Sequence, residues 1–236
     1  MKFMLQSLKK LYGDHLGASD GEIGQVEDFY FDDRDWAVRY IVADTGTWLT
    51  GQQVLLSPHA FGDFHATRKL LSVNLTRKQI ENGPPIAAHK PVSRQYEEVY
   101  HKYYGWPSYW EGAAPMGVKN FPILESVPDL NPNEQADEVA HEEKRADAHL
   151  LSTQAVTGYH VHASEEIIGH VSDFLMDAKT WTIGQLVVKI GHRFSGKEVQ
   201  IPVSDITKIS YEQSTVFVKL TKEAIEKSPA PELVSV

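Results

Sequence analysis

Val38, Tyr40 and Val42 fall on one side of an extended segment and Ala37, Arg39 and Ile41 on the other, a period of two that belongs to a β-strand. Strand-like segments recur along residues 7–84, broken at Asp20-Gly21, at Asp32-Asp33 and between Gly46 and Gly51. Turns at such short intervals predict a small barrel or sandwich, and an up-and-down barrel fits best. The stretch ends on Val73-x-Leu75-Thr76, and the polar residues behind it predict a short helix with Thr76 as N-cap. Gln79, three residues on, completes a capping box, and Pro84 stops the helix.

The same pattern returns 145 residues later. Residues 7–84 align without a gap on residues 152–229, and 22 of the 78 positions are identical, enough to mark a duplicated unit. The shared positions include Gly13/Gly158, Ile23/Ile168, Gly24/Gly169, Val26/Val171, Asp28/Asp173, Phe29/Phe174, Asp32/Asp177, Trp36/Trp181 and Thr76/Thr221. In the second copy Ala224 replaces the capping-box glutamine, while Glu223 places negative charge beside the positive end of the helix dipole, and Pro229 is the stop.

Two dissimilar segments separate the copies. After Pro84-Pro85, Ser93 is a candidate cap for a helix on which Tyr96, Val99, Tyr100 and Tyr103 form one apolar stripe, ended by Gly105-Trp106-Pro107. Barrel geometry does not account for the aromatic cluster of Tyr96, Tyr100, Tyr103, Tyr104, Trp106, Tyr109 and Trp110, which has no counterpart in the repeat. It has two readings: a lock between the two units, or a surface for a partner or a second copy, where Tyr and Trp are enriched. Asn131 to His149 is rich in charge and poor in large apolar residues, as a solvated helix or flexible linker would be. The predicted organisation is a first unit over 1–85, the aromatic helix and acidic linker over 86–149, and a second unit over 150–230.

Composition narrows the classes. With 42% hydrophobic and 23% charged residues the chain suits a soluble globular protein, and no window approaches the roughly 20 apolar residues that cross a bilayer. Met1 to Lys10 lacks the long apolar run and cleavage site of a secretory signal, which predicts a cytoplasmic protein. The absence of cysteine excludes disulfides, thiolate nucleophiles and Cys-ligated metals. A net charge of −9, with no stretch of five clustered Lys/Arg, argues against direct nucleic-acid binding.

The string Ser19-Asp20-Gly21-Glu22-Ile23-Gly24-x-Val26-x-Asp28-Phe29-x-Phe31-Asp32-Asp33, followed by Trp36-x-Val38-Arg39-Tyr40-Ile41-Val42-x-Asp44, resembles the PRC-barrel family, as does its echo from Ser164 to Val188. That family takes its name from the photosynthetic reaction centre H subunit, whose cytoplasmic part is such a barrel, and includes the C-terminal domain of a ribosome maturation factor. Pro91 to Tyr96 and Tyr103 to Pro107 look like the linker of free-standing bacterial tandem members. The resemblance implies a barrel of about six strands used for protein contacts, with no catalytic residues common to its members.

Several motifs invite chemistry. Gly191-His-Arg-Phe-Ser-Gly196-Lys197-Glu198 nearly spells a phosphate-binding loop, but Glu198 stands where Ser or Thr should bind magnesium, and Val199, Ile201 and Val203 alternate as a strand would. A hairpin is the reading preferred. His160 and His162 share a strand face and could approach a metal, yet only His160 recurs, as His15. His141-Glu142-Glu143-Lys144-Arg145 lacks the second histidine of a zinc-protease helix. The Asp28/Asp32 and Asp173/Asp177 pairs could serve as acid and base, but aspartates at strand ends usually satisfy turn amides. Trp36 and Trp181 are read as core or barrel-end residues.

The expected protein is therefore mainly β: two tandem small PRC-type β-barrels, each ending in a short helix, joined by an aromatic helix and a charged linker. Its expected role is a non-enzymatic adaptor or scaffold for protein–protein contact, self-association as a homodimer included, with no cofactor, metal or catalytic residue. Rival readings are a peripheral component of a membrane or photosynthetic reaction-centre-like complex, and a small-molecule or metal-binding module or hydrolase with its site between the units.

Overall fold

A computed structural model describes residues 5–46, 49, 53–65, 70–84, 92–110, 148–164, 166–191 and 196–226. Strand β1 (Leu5–Ser7) leads through a 3-10 turn to β2 (His15–Ala18), β3 (Gly21–Asp32), β4 (Ala37–Asp44) and β5 (Gln53–Leu56). A second 3-10 turn (Pro58–Ala60) precedes β6 (Phe61–His65), β7 (Leu70–Val73) and helix α1 (Arg77–Glu81). Strand β8 (Val92–Ser93) and helix α2 (Arg94–Tyr104) follow, then β9 (Ala148–Ser152), helix α3 (Thr153–Val156), β10 (His160–His162), β11 (Ile167–Asp177) and β12 (Thr182–Ile190). The chain closes with β13 (Lys197–Pro202), a 3-10 turn (Val203–Asp205), β14 (Ile206–Ser210), β15 (Thr215–Val218) and helix α4 (Lys222–Glu226).

The mainly β expectation holds. Among the described residues the strands join in one curled, fifteen-stranded sheet. One half has the order β6-β7-β2-β3-β4-β5, the other β14-β15-β10-β11-β12-β13. An up-and-down order is not formed, because β7 runs parallel to β2 and β15 parallel to β10. The 3-10 turn after β5 or β13 redirects the chain, so that the last hairpin delivers its second strand beside the first strand of its half and running the same way.

The pairing registers repeat at the 145-residue offset. Leu16 opposes Gly24, Val26 opposes Ala43 and Asp28 opposes Val42; their counterparts pair as Val161 with Gly169, Val171 with Val188 and Asp173 with Val187. Bulges fall at the same places, after Val26 and Val171 and after Tyr30 and Leu175. The second of these leaves Arg39 unmatched and shifts the parity of β4. Val38, Ile41 and Ala43 therefore enter the main core, while Tyr40 and Val42 enter a smaller one on the other face. That departs from the single alternation expected for Val38, Tyr40 and Val42. Gly24 and Gly169 are required by close approach of the neighbouring strand: a Cβ would lie 1.9 Å from the Asp44 carbonyl oxygen and 2.2 Å from that of Lys189.

The halves meet about a pseudo-two-fold axis between Ala37 and Thr182, which pair with each other where β4 and β12 begin. Val38 N–H donates to the Trp181 carbonyl and Ile183 N–H to that of Trp36, both at 2.8 Å. Each half also gives its first strand to the other: β1 pairs with β11 and β9 with β3, with Leu5 opposite Asp177 and Leu150 opposite Asp32. One hydrophobic core runs through both halves, with Phe31 and Phe174 ring centroids 5.5 Å apart at the junction.

Candidate functional site

Asp28 sits at the first bulge of β3, fully buried. Its carboxylate accepts from Phe29 N–H at 2.7 Å and, from the opposite half, from Ser152 Oγ–H, Thr153 Oγ1–H at 2.9 Å and Gln154 N–H at 3.0 Å. Burial pushes its pKa up, and these four donors pull against that shift. Asp173 repeats the arrangement, accepting from Phe174 N–H at 2.7 Å, Ser7 Oγ–H and Lys9 N–H at 3.0 Å. Both aspartates thus reach across the seam and hold the turn that follows the exchanged strand. The expectation that they serve nearby turn amides applies instead to Asp32 and Asp177, which accept from Arg34 N–H at 3.0 Å and Lys179 N–H at 2.8 Å.

Trp36 and Trp181 occupy the tips of the β3–β4 and β11–β12 turns with φ of 59° and 57°, a left-handed conformation costly for a large side chain. They are half-buried, not central core residues. Trp181 lies against Phe61 of the other half, with centroids 5.0 Å apart, and Trp36 stacks on Phe31. The strain is held by the reciprocal bonds to their carbonyls across the axis.

The second concentration of unusual residues lies under α2. A Schellman motif ends this helix: Trp106 N–H donates to His101 O at 2.9 Å, Gly105 N–H to Lys102 O, and Gly105 has φ of 68°. Its inward stripe is Tyr96, Tyr100 and Tyr104, with Glu97 and His101, and it covers Tyr30, Tyr40, Val42, Leu55 and Leu150. The expected stripe of Tyr96, Val99, Tyr100 and Tyr103 is rotated: Val99 is 39% exposed and Tyr103 half-buried. The two polar residues turn inward because Tyr40, beneath them, carries a hydroxyl that needs partners once covered.

Tyr40 Oη–H donates to Glu97 Oε1 at 3.0 Å and lies 2.7 Å from His101 Nε2. Tyr109 Oη–H also donates to Glu97 Oε1, at 2.7 Å. His101 Nδ1–H donates to the Pro107 carbonyl at 3.0 Å. Arg39 stacks over the Tyr109 ring at 3.7 Å and pairs with Asp35. Burial raises the pKa of Tyr40 and of Tyr100, and lowers that of His101 and His59. Tyr100 donates to the Leu55 carbonyl, Tyr96 to that of Pro84 at 3.0 Å and Tyr103 to that of Gln79 at 3.1 Å, tying the helix to β5 and α1. Of the seven aromatics singled out in the sequence, Tyr100 is thus enclosed, while Tyr96, Tyr103, Tyr104, Trp106, Tyr109 and Trp110 are half-buried around it. Glu97 and His101 belonged to no motif in the sequence, and Tyr40 stood there only as one position of a strand pattern.

The remaining candidates are scattered. Lys197 opens strand β13 opposite Ile190, so no helix follows Gly196 to receive a phosphate. His160 faces His170 across β10–β11, and the His162 ring lies 5.5 Å from that of Phe217. Among the described residues no three His, Asp or Glu gather as metal ligands would, and no helix is long and apolar enough to cross a membrane. His141 to Arg145 lies outside the described residues.

The family model for the PRC-barrel domain matches residues 158–225. This stretch is a PRC-barrel domain. No curated protein matches the chain. The PRC-barrel domain begins at Gly158, whose N–H donates to Val171 O at 2.8 Å, and ends at Ile225, buried in the main core. Gly169, Asp173 and Trp181 lie within it, whereas the strand paired to its β11 and the serine bonded to Asp173 come from the opposite half. The cluster beneath α2 lies outside the PRC-barrel domain.

Proposed function

We propose that the chain is a non-enzymatic adaptor built as a fused pair of PRC-barrel units, the first over residues 1–85 and the second over 150–230. The observation that carries this reading is how the repeated residues are used. Asp28 and Asp173 bind the opposite unit's exchanged strand, Gly24 and Gly169 admit a neighbouring backbone, and Trp36 and Trp181 close the axis. Residues shared by both copies serve assembly, which leaves unshared surface to recognise a partner. The candidate contact surface is the outer side of the α2 region, where Val99 is exposed and Tyr103, Tyr109 and Trp110 are half-buried. The partner is a protein in the cytoplasm or a second copy of the chain.

Crosslinking in cells followed by mass spectrometry, alongside sedimentation velocity of the purified chain, tests this. A specific protein or self contact that maps to residues 96–110 and falls at least about tenfold in Val99→Asp/Tyr103→Ser is the expected result. A strictly monomeric chain with no crosslink to this surface refutes it.

A further inference from the structure

We propose that the open edge of β1 and the outer face of the second half form a docking surface for an extended segment, and that the chain's own residues 230–236 fill it. The two halves differ at this place. In the first half β9 is paired on both sides, by β3 and by β8, and α2 follows β8 across the face. Its counterpart β1 has β11 on one side and, among the described residues, no strand on the other. Leu8 N–H donates to Phe174 O at 2.9 Å, so the alternation of strand amides turns those of Leu5 and Ser7 toward the open edge.

The face beside that edge suits a cover. Offset by 145 residues, Tyr30, Tyr40, Val42, Leu55 and Leu150 of the cluster under α2 become Leu175, Gln185, Val187, Gln200 and Leu5. Leu175 and Val187 are 1% and 2% exposed, yet neither belongs to the main core or to the cluster beneath α2. Gln185, opposite Leu175, has its Oε1 buried without a hydrogen-bond partner. A helix spends its backbone N–H groups on itself and leaves such an oxygen unmet. An extended segment keeps them free for the amide and for the edge of β1.

The occupant follows from the course of the chain. Helix α4 repeats α1: Ile225 N–H donates to Thr221 O as Ile80 N–H does to Thr76 O, and both isoleucines lie in the main core. In the first half the chain leaving α1 has reached the outer face at Pro84, whose carbonyl accepts from Tyr96 of α2 at 3.0 Å. Pro229 is the equivalent position, and Ala230 to Val236 continue from it. Extended, that stretch reaches about 23 Å, and it is one residue shorter than the path from Pro84 to Val92, which opposes Leu150 on β9. Alternation puts Val234 and Val236 on one side, an apolar pair to extend the row of Leu5 and Leu175. Docked there, the segment clasps the strand that the first half lends to the second and closes an edge open to pairing with other chains. The inference does not depend on which partner the adaptor reading is given.

Because the chain has no cysteine, Ser235→Cys provides a single site for a nitroxide label. In the full labelled chain, NMR should show paramagnetic broadening of the Leu175 and Val187 methyls, and none when labelled chains are mixed with unlabelled, isotope-enriched ones. Adding Val234→Asp/Val236→Asp should abolish the broadening. Without the label, the same two substitutions should lower the exchange protection of the Ser7 amide at least about tenfold while that of residues 182–190 stays constant. Broadening that is absent or that arises in the mixture, as from the segment of a second copy, overturns the proposal. So does Ser7 protection that the aspartates leave unchanged, which would assign the edge to another segment.

Discussion

Alanine at Asp28 removes the acceptor of four hydrogen bonds, three of them from the opposite half. The Ser152 and Thr153 hydroxyls can rotate toward other acceptors, but the Phe29 and Gln154 amides cannot. A buried donor left without an acceptor costs about 1–3 kcal/mol, so two cost about 2–6. Deletion also relieves the burial of a carboxylate, the cause of its raised pKa, which brings the expected loss to about 2–4 kcal/mol. The equivalent Asp173→Ala should cost only about 1 kcal/mol, because Asp173 is half-buried and its bond from Lys9 is exposed to water that can replace it. Urea unfolding followed by far-ultraviolet circular dichroism, with equal slopes for the variants, measures both. The pH dependence has a fixed sign. A carboxyl with a raised folded pKa binds more protons folded than unfolded below that value, so the wild type should gain stability relative to Asp28→Asn as pH falls through it. An Asp28→Ala loss under about 1 kcal/mol, or one no larger than that of Asp173→Ala, refutes the seam argument.

Gly169→Ala places a Cβ 2.2 Å from the Lys189 carbonyl oxygen and should lower stability by about 1–3 kcal/mol, read in the same unfolding assay. Thr76→Ala removes the hydroxyl that accepts from Gln79 N–H and donates to Gln79 Oε1, leaving the backbone arm of the capping box in place, and should cost about 1 kcal/mol, more than Thr221→Ala, which loses the bond from Ala224 N–H at 3.3 Å. Tyr40→Phe keeps the edge-on contact with Tyr100 but takes the shared hydroxyl from Glu97 and His101; thermal melting should show a loss of about 1–3 kcal/mol, with α2 the first element to lose exchange protection.

The pairing registers recur at the 145-residue offset read from the sequence, and the strand period, the short terminal helices and the capping box at Thr76 were legible because each is a local pattern of a few residues. The parallel return of β7 beside β2 was not, since strand order depends on where the 3-10 turn aims the chain, and Pro58 in one copy and Val203 in the other share no residue type. The strand exchange was hidden for a similar reason: the alternation of Leu5 and Ser7, or of Leu150 and Ser152, is the same whichever half they join. Asp28 was recognisable as repeated but not as a bridge, because its donors lie about 125 positions away in sequence. In α2 the pattern misled by one step. Glu97 and His101 lay outside the expected apolar stripe, and only the position of Tyr40 on the bulged strand shows why they are buried.

The two halves share strand order and register, yet among the described residues only one carries the aromatic helix, and the side chains on their outer faces give the reason. Tyr40 and Leu55 of the covered face correspond to Gln185 and Gln200, both half-buried, in the PRC-barrel domain. A helix with Tyr96, Tyr100 and Tyr104 facing inward can bury a phenol and a leucine, provided that something meets the hydroxyl, and Glu97 and His101 do. Laid on the other face, the same rings would cover two amides, of which Gln185 Oε1 is already buried without a hydrogen-bond partner, at about 1–3 kcal/mol for each group left unsatisfied. The preference of the helix for one half and the buried polar network are therefore one fact. The two halves present corresponding faces, and the glutamines on one of them favour the docking of α2 on the other.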